Sequence, residues 1–370
     1  MPRLYGRDWT KIELLRRVGD VRQVGGLRPF VLDDGPARGV RCVEVRTGAG
    51  FSYAVALDRS LDIPWAELDG MPLAWVSPTG VVHPAMFDPP GLGWLRGFFG
   101  GLVTTCGLTS AGPPDTDEGE TFGLHGRVSH LPASEVSARG VWVGNDYEMT
   151  VEGRVREVSV FGHDLQLTRR ITSRLGERRI LIRDEVENLG AAPAPHMLIY
   201  HVNAGFPLVS EDAELITPAL QVEARDADAQ PGIRDWHRFE APQAGYREQV
   251  FFHTLSAVEE EDTMIALVNR KLGLGYALRW PLSQLPAFTE WKMMGEGTYV
   301  VGTEPGNCRP LPRSRLRKEK SLVFLRPGQR RSYELAIDVL SGADEIRAAE
   351  KRIRAARNPT ETAKPSRKRR

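Results

Sequence analysis

The sequence predicts an all-β protein, one large twisted antiparallel β-sandwich with a few short helices. Three observations lead there. From Trp142 onward apolar and polar residues alternate, with Met149, Val151 and Val155 set against Thr150, Glu152, Arg154 and Arg156, the pattern of strands with one buried face. Successive runs of this kind, DLQLTRRITSR and ERRILIRDEVEN among them, carry polar outer faces and form an antiparallel meander. Strand-like runs also far outnumber helical ones.

Taken in order, Thr10 to Val18 reads as a short helix, with Thr10 as its cap and Ile12, Leu15 and Val18 roughly on one face. Phe51 to Leu57 is aromatic and aliphatic, reads as a strand and ends at a turn-like Asp-Arg-Ser. From Gly80 to Pro114 glycine and proline dominate, predicting loops around short strands. Long irregular stretches of this kind are often functional. After the meander, strands read at 195–203, 250–255, 263–269, 273–280, 287–293, 298–304 and 320–325. A last strand alternates Tyr333, Leu335, Ile337 and Val339 with Ser332, Glu334, Ala336 and Asp338, and an amphipathic helix at 343–357 closes the fold. With no internal repeat and no linker-like break, residues 1–357 are expected to form a single domain. Residues 358–370 are rich in Pro, Thr, Lys and Arg and are expected to be a disordered basic tail.

The 370 residues carry 49 Lys plus Arg against 48 Asp plus Glu, a net charge of +1. That balance gives no global electrostatic ground for binding nucleic acid or a membrane, and neither is expected as a partner. Three cysteines without CxxC spacing suit a reducing interior better than a disulfide framework. The N-terminus lacks an apolar h-region and no apolar run approaches the ~18–20 residues of a membrane span, so a cytoplasmic protein is expected. Exposed strand edges leave a homodimer open.

Three short segments carry the chemistry: GLHGR at 123–127, IYHVN at 199–203 and GTEPGN at 302–307. Each sets one proton-transferring side chain (His125, His201, Glu304) beside glycine, proline or asparagine. Two imidazoles and a carboxylate brought together on a sheet make a general acid/base site. Strand spacing puts His201 and Asn203 on one face and His196 on the other, so the two histidines are not joint metal ligands. Glu290 and Lys292 share a face while Trp291 faces away; the pair suits the hydroxyls of a polar ligand, or a cross-strand ion pair. Taken singly, His125 also reads as a structural histidine and Glu304 as an exposed turn residue. Phosphate-cradle spacing, HExxH and a nucleophile signature around Cys106 are all missing, and no metal or cofactor is expected. Trp65, Trp75, Trp94 and Trp280 read as core or lining, with sugar stacking left open.

LHGR at 124–127, HVNAGFPL at 201–208 and GTEPGN at 302–307 resemble the galactose mutarotase-like superfamily, the aldose 1-epimerases. DRSLDI at 58–63, FFGGLVTTCGLTSAGPP at 98–114 and GLHGRVSHLPA at 123–133 are similar to its DUF4432-type branch. The resemblance runs from about Asp58 to the last strand and implies the superfamily's supersandwich. It also implies an aldose 1-epimerase-like isomerase that interconverts the anomers of a free sugar by acid/base ring opening. By motif, His201 maps onto the general acid, Glu304 onto the general base and His125 onto a sugar contact. The HxYFN-like strand reads HVNAGFP here, without its tyrosine–phenylalanine pair, and FFGGLVTTCGL occupies the place of an arginine-bearing segment. Arg59 and Asp62 are therefore expected among the sugar contacts, with Arg127, Asn203, Glu290 and Lys292. Two alternatives stand beside this reading: an isomerase, epimerase or lyase acting on a keto-sugar with the same groups, and a non-catalytic carbohydrate-binding protein.

Overall fold

The structure, a computed structural model, describes residues 1–357; the expected tail at 358–370 lies outside them. The first helix, α1 (Lys11–Leu15), is shorter than the sequence predicts. Thr10 caps it: its hydroxyl accepts the Glu13 N–H and the Glu13 carboxylate accepts the Thr10 N–H, so two otherwise orphaned donors are settled reciprocally. A first antiparallel sheet follows in simple order: β1 (Gly26–Val31), β2 (Arg41–Arg46), β3 (Phe51–Ala56), β4 (Asp62–Leu68) and β5 (Met71–Pro72). After the glycine- and proline-rich segment come β6 (Thr104–Leu108) and the meander β7 (Ser134–Val143), β8 (Asp146–Val158), β9 (Asp164–Arg174) and β10 (Arg179–Asn188).

The second half supplies β11 (Met197–Gly205), β12 (Ala213–Ile216), β13 (Ala219–Ala224), β14 (Gln249–Leu255), β15 (Asp262–Asn269) and β16 (Leu274–Pro281). It continues with β17 (Ala287–Gly295), β18 (Thr298–Gly306), helix α2 (Arg313–Lys318), β19 (Arg330–Ser341) and helix α3 (Ala343–Arg357). The strand expected at 320–325 is reduced to a two-residue pairing, Phe324–Leu325, because α2 and its C-terminal turn take the residues just before it.

Two further sheets make the sandwich. Eight strands run in the order β7-β8-β9-β10-β19-β16-β15-β12, and six in the order β13-β14-β17-β18-β11-β6. Between them Leu167, Ile182 and Leu335 meet Tyr200, Val202, Phe288 and Val301, none more than 1% exposed. Burying each such side chain is worth roughly 1.5–3 kcal/mol. A hydrogen bond of 2.9 Å between the Tyr276 and Thr303 hydroxyls ties the two layers. Helix α3 covers the outside of the eight-stranded sheet, with Ile346, Ala349 and Ile353 packed on Ala266, Val268 and Ala277.

The outer face of the six-stranded sheet is not left to solvent. Met197 and Ile199 project there into a second apolar cluster with Trp94, Phe98, Cys106 and Cys308. Strand β11 is thus buried on both faces along its whole length, and this second covered face holds the site. Among the described residues no helix is long and apolar enough to cross a membrane.

Candidate active site

Two strand pairings bring the separate motifs together. β11 and β18 are antiparallel neighbours with Val202 opposite Thr303 and Asn203 opposite Gly302; the same register sets His201 opposite Glu304. On the other side of β18, Glu304 lies opposite Thr289 and Gly302 opposite Trp291. Directly opposed residues share a face, so His201, Glu304, Thr289 and Trp291 all point outward from the sandwich core. His201 Nε2 and Glu304 Oε1 are 3.2 Å apart. Gly302 makes this contact sterically feasible: a Cβ there would lie 2.8 Å from Glu304 Oε1 and 3.1 Å from His201 Cε1.

His125 arrives from the loop after Gly123. Its backbone is in the left-handed region at φ 55°, held by its N–H donating to Gly112 O and its carbonyl accepting from Gly107 N–H. The next residue must be glycine, since a Cβ on Gly126 would lie 2.1 Å from Ser110 O and 2.3 Å from Gly107 O. The imidazole Nδ1 lies 3.1 Å from Ala111 O, which assigns the proton to Nδ1 and leaves Nε2 as an acceptor. The His125 and His201 rings are 5.8 Å apart and nearly perpendicular.

The three side chains open onto one cavity of about 890 Å³. Its walls are aromatic: Trp75, Trp94, Phe98 and Trp291 line it, with Leu92, Leu95 and several prolines. Phe98 and Trp291 each place a ring 5.4 Å from that of His201. Across from His201 and Glu304 stands a charged group. Arg225 donates to Asp226 and Glu248, and Glu248 also accepts the Trp291 indole N–H at 2.8 Å.

Burial decides where the proton of the pair sits. Glu304 is pushed up to about 8, first by loss of solvent and then by the nearby Glu248 charge, with Arg225 opposing. His201 is held down to about 3, first by burial and then by His125, with the neighbouring Asn203 side chain opposing. Both effects penalise charge in a dry site. At neutral pH burial thus favours a protonated Glu304 carboxyl 3.2 Å from a neutral His201 imidazole.

The structure brings His125, His201 and Glu304 to the cavity and leaves the other six expected contacts outside its lining. Arg59 is fully buried and donates to the carbonyls of Ser129, Val82 and Gly97, with His130 Nε2 at 3.1 Å. It braces the loop bearing Trp94 and Phe98 from behind. Asp62 is buried against Arg169 and accepts the N–H and hydroxyl of Thr105. Arg127 is exposed away from the cavity. Glu290 and Lys292 do share a face, but it is the inner one: Glu290 meets His253 at 3.2 Å, and Lys292 donates to Arg238 O and Glu240. Trp291, facing away from them, looks into the cavity, as do Thr289 and Met293 of the same strand. Asn203 lies behind His201, its amide N–H group spent on the carbonyls of Gly100, Gly101 and His201.

Residues that strand reasoning missed are Trp291, whose neighbours drew the attention, and Arg225 and Glu248, which stand at the ends of β13 and β14, where no periodicity applies. Of the aromatic wall, Trp75 and Trp94 are among the tryptophans for which lining was one reading; Trp65 packs on Phe30 and Trp280 on Phe288 instead.

A three-sheet antiparallel β-sandwich with a covered outer face carrying a histidine–glutamate pair is a galactose mutarotase-like architecture. The chain belongs to the DUF4432 family, a domain of unknown function, whose family model matches residues 37–339. A candidate aldose 1-epimerase from Klebsiella pneumoniae superposes with a TM-score of 0.86 at 27% identity, over 91% of this chain and 90% of that one. A galactose mutarotase-like protein from Clostridium acetobutylicum gives 0.60 at 11% identity, over 86% of this chain and 99% of that one. For galactose 1-epimerase from Lactobacillus acidophilus the score is 0.56 at 12% identity, with the same coverage. The last two likenesses concern the fold alone. No curated protein matches the chain at a significant level of similarity.

Proposed function

We propose that this protein interconverts the α and β anomers of a free aldose by acid/base ring opening. The observation that carries the reading is the contact of 3.2 Å between His201 Nε2 and Glu304 Oε1 at a cavity wall. The anomeric hydroxyl and the ring oxygen are both bonded to C1. Two adjacent proton-transfer atoms therefore suit these two oxygens at once.

The steps balance within the pair. Glu304 donates its proton to the ring oxygen while His201 Nε2 takes the proton of the C1 hydroxyl; the C1–ring oxygen bond breaks and an open-chain aldehyde forms. The pair is now carboxylate and imidazolium. After rotation about C1–C2, the carboxylate removes the new hydroxyl's proton as it attacks the other face of the aldehyde, and the imidazolium protonates the carbonyl oxygen. One turnover uses each group as acid and as base and returns the proton to Glu304. The roles implied by resemblance, Glu304 as base and imidazolium as acid, are those of the closing half. Each positioned group is worth ~10²–10⁴-fold. The His125 Nε2 acceptor is available to a sugar hydroxyl, and the aromatic walls suit the apolar faces of a sugar ring.

A panel of free aldoses followed by polarimetry, with Glu304→Gln as control, tests this. Acceleration by wild type that the variant loses supports it; equal rates for the two overturn the role of Glu304. Running the panel in heavy water separates the keto-sugar alternative, since anomer exchange leaves carbon-bound hydrogen in place.

A further inference from the structure

The cavity that holds His125, His201 and Glu304 has two kinds of wall. Polar groups able to meet sugar hydroxyls gather around the pair: the two histidines, Glu304, and Thr289 opposite Glu304 in the β17–β18 register. Elsewhere the lining is apolar. One short segment, Leu92 to Phe98, supplies both inner wall and lip: Trp94 and Phe98 are 1% and 5% exposed, whereas Leu92 and Leu95 are 61% and 46% exposed at the cavity's edge. Pro113, Pro114, Pro310 and Pro312 continue this apolar lining, and proline has no N–H to offer a hydroxyl. Ser77 and Thr79 line it too, but their hydroxyls are engaged with each other and with Phe98 O and Gly80 O. Single exposed leucines are ordinary. Two on a loop that Arg59 braces through Gly97 O, continuous with an aromatic cavity, form the kind of patch that marks a ligand groove.

We propose that the substrate is an uncharged aldose, free at C1, that carries an apolar aryl or acyl substituent on a hydroxyl remote from C1. The sugar ring sits against His201 and Glu304, and the substituent lies on Leu92, Leu95 and the prolines. The space fits this class: about 890 Å³ is near the top of the range for drug-sized ligands, roughly 300–1,000 Å³, and an unsubstituted hexose is smaller than such ligands. A second sugar would fill the same space, but its hydroxyls would be stripped of water against a wall that returns few hydrogen bonds. An anionic substituent is no better served. Arg225, the one Lys or Arg among the described residues lining the cavity, already donates to Asp226 and Glu248, so a phosphate or carboxylate would meet two carboxylates beside a committed guanidinium. The orientation of the sugar rests on the acid/base reading above; the preference for an apolar substituent does not.

Binding tests this separately from catalysis. The probes are the cyclic anhydroalditols of glucose, galactose and mannose, which keep the ring oxygen but lack the C1 hydroxyl and so cannot ring-open. Each is compared by titration calorimetry with its benzoyl ester and its phosphate ester at the exocyclic hydroxymethyl group, and with a second sugar attached there. For at least one sugar the benzoyl ester is expected to bind wild-type protein about 10–100-fold more tightly than its parent, and more tightly than the phosphate ester or the disaccharide. Replacing the two exposed leucines together, Leu92→Ser with Leu95→Ser, is expected to remove most of that gain. Benzoyl esters that bind no better than their parents for all three sugars overturn the proposal. So does a phosphate ester or disaccharide that outbinds the benzoyl ester, or a gain that survives intact in the doubly substituted protein. Because these probes undergo no anomer exchange, the result stands whatever Glu304→Gln does to that reaction.

Discussion

Replacing Glu304 by glutamine has two consequences with opposite signs, and their conjunction is hard to obtain by another route. The folded protein holds the Glu304 proton up to about 8, against an ordinary value of 4.5. Between those two pH values the unfolded chain releases a proton that the folded chain keeps, so raising the pH draws the equilibrium toward the unfolded state. At ~1.36 kcal/mol per pH unit, this one side chain costs about 4 kcal/mol of stability at pH 8. Glutamine fills the same space and has no proton to lose. The stability of Glu304→Gln relative to wild type is therefore expected to be nearly independent of pH below about 4.5 and to grow steadily in the variant's favour up to about pH 8. Urea unfolding at several pH values, taken as the difference between the two proteins, isolates this group from the others that titrate. His201, lowered to about 3, costs both proteins stability below its ordinary value of 6.5, a cost that shrinks as the pH rises from about 3 to 6.5 and largely cancels in the difference. A difference that stays flat to pH 8 would mean that Glu304 is ionised in the folded state, and the neutral pair would have to be abandoned.

Three further expectations follow from the same geometry. Because the pair works with one proton, the activity is expected to hold between about 3 and about 8 wherever the protein stays folded, and to fall above about 8 as Glu304 loses its proton. A kcat/KM profile that rises through pH 8 and stays high contradicts this. Gly302→Ala puts a methyl where Glu304 Oε1 and His201 Cε1 already lie within 2.8 and 3.1 Å; kcat is expected to drop at least about tenfold in a folded protein, and full activity there would show that the contact is not used. Arg59→Met leaves three backbone carbonyls without their donor and is expected to cost about 3 kcal/mol or more in denaturant unfolding. A raised KM at unchanged stability would return Arg59 to the sugar contacts.

The parts of the fold that the sequence announces are those with one wet face. The strands β8–β10 alternate cleanly because their outer side chains are polar, whereas β7 carries exposed Val141 and Val143 and shows no such alternation; the closing helix shows its stripe because one face is wet. The first sheet is harder to see: Pro29 interrupts β1, while β4 is buried along most of its length. The site suffers from a related ambiguity. β11 and β18 are covered on both sides, so periodicity says which residues share a face but not which face is the cavity. On β17 the Glu290 and Lys292 face reads from sequence either as a ligand face or as a cross-strand ion pair; the cavity wall is aromatic, and the two polar residues point inward, paired with His253 and Glu240. Arg59 and Asp62 were misplaced for another reason: a buried charge satisfied by backbone and partner groups is spelled in sequence just as a ligand-binding one is. What the motifs did convey was the set of side chains that meet at one cavity, His125, His201 and Glu304, because small residues close by, Gly126 and Gly302 above all, serve close approach there.

Anomer exchange at equilibrium, followed by NMR magnetisation transfer between the α and β signals of a free aldose, addresses the acid/base pair most directly. With wild-type protein the exchange is expected to quicken in proportion to enzyme concentration for at least one aldose of a broad panel, and to return to the uncatalysed rate with folded Glu304→Gln. Exchange that no aldose of the panel shows, or that survives intact in Glu304→Gln, would contradict the reading of Glu304 and His201 as a proton-sharing catalytic pair for ring opening.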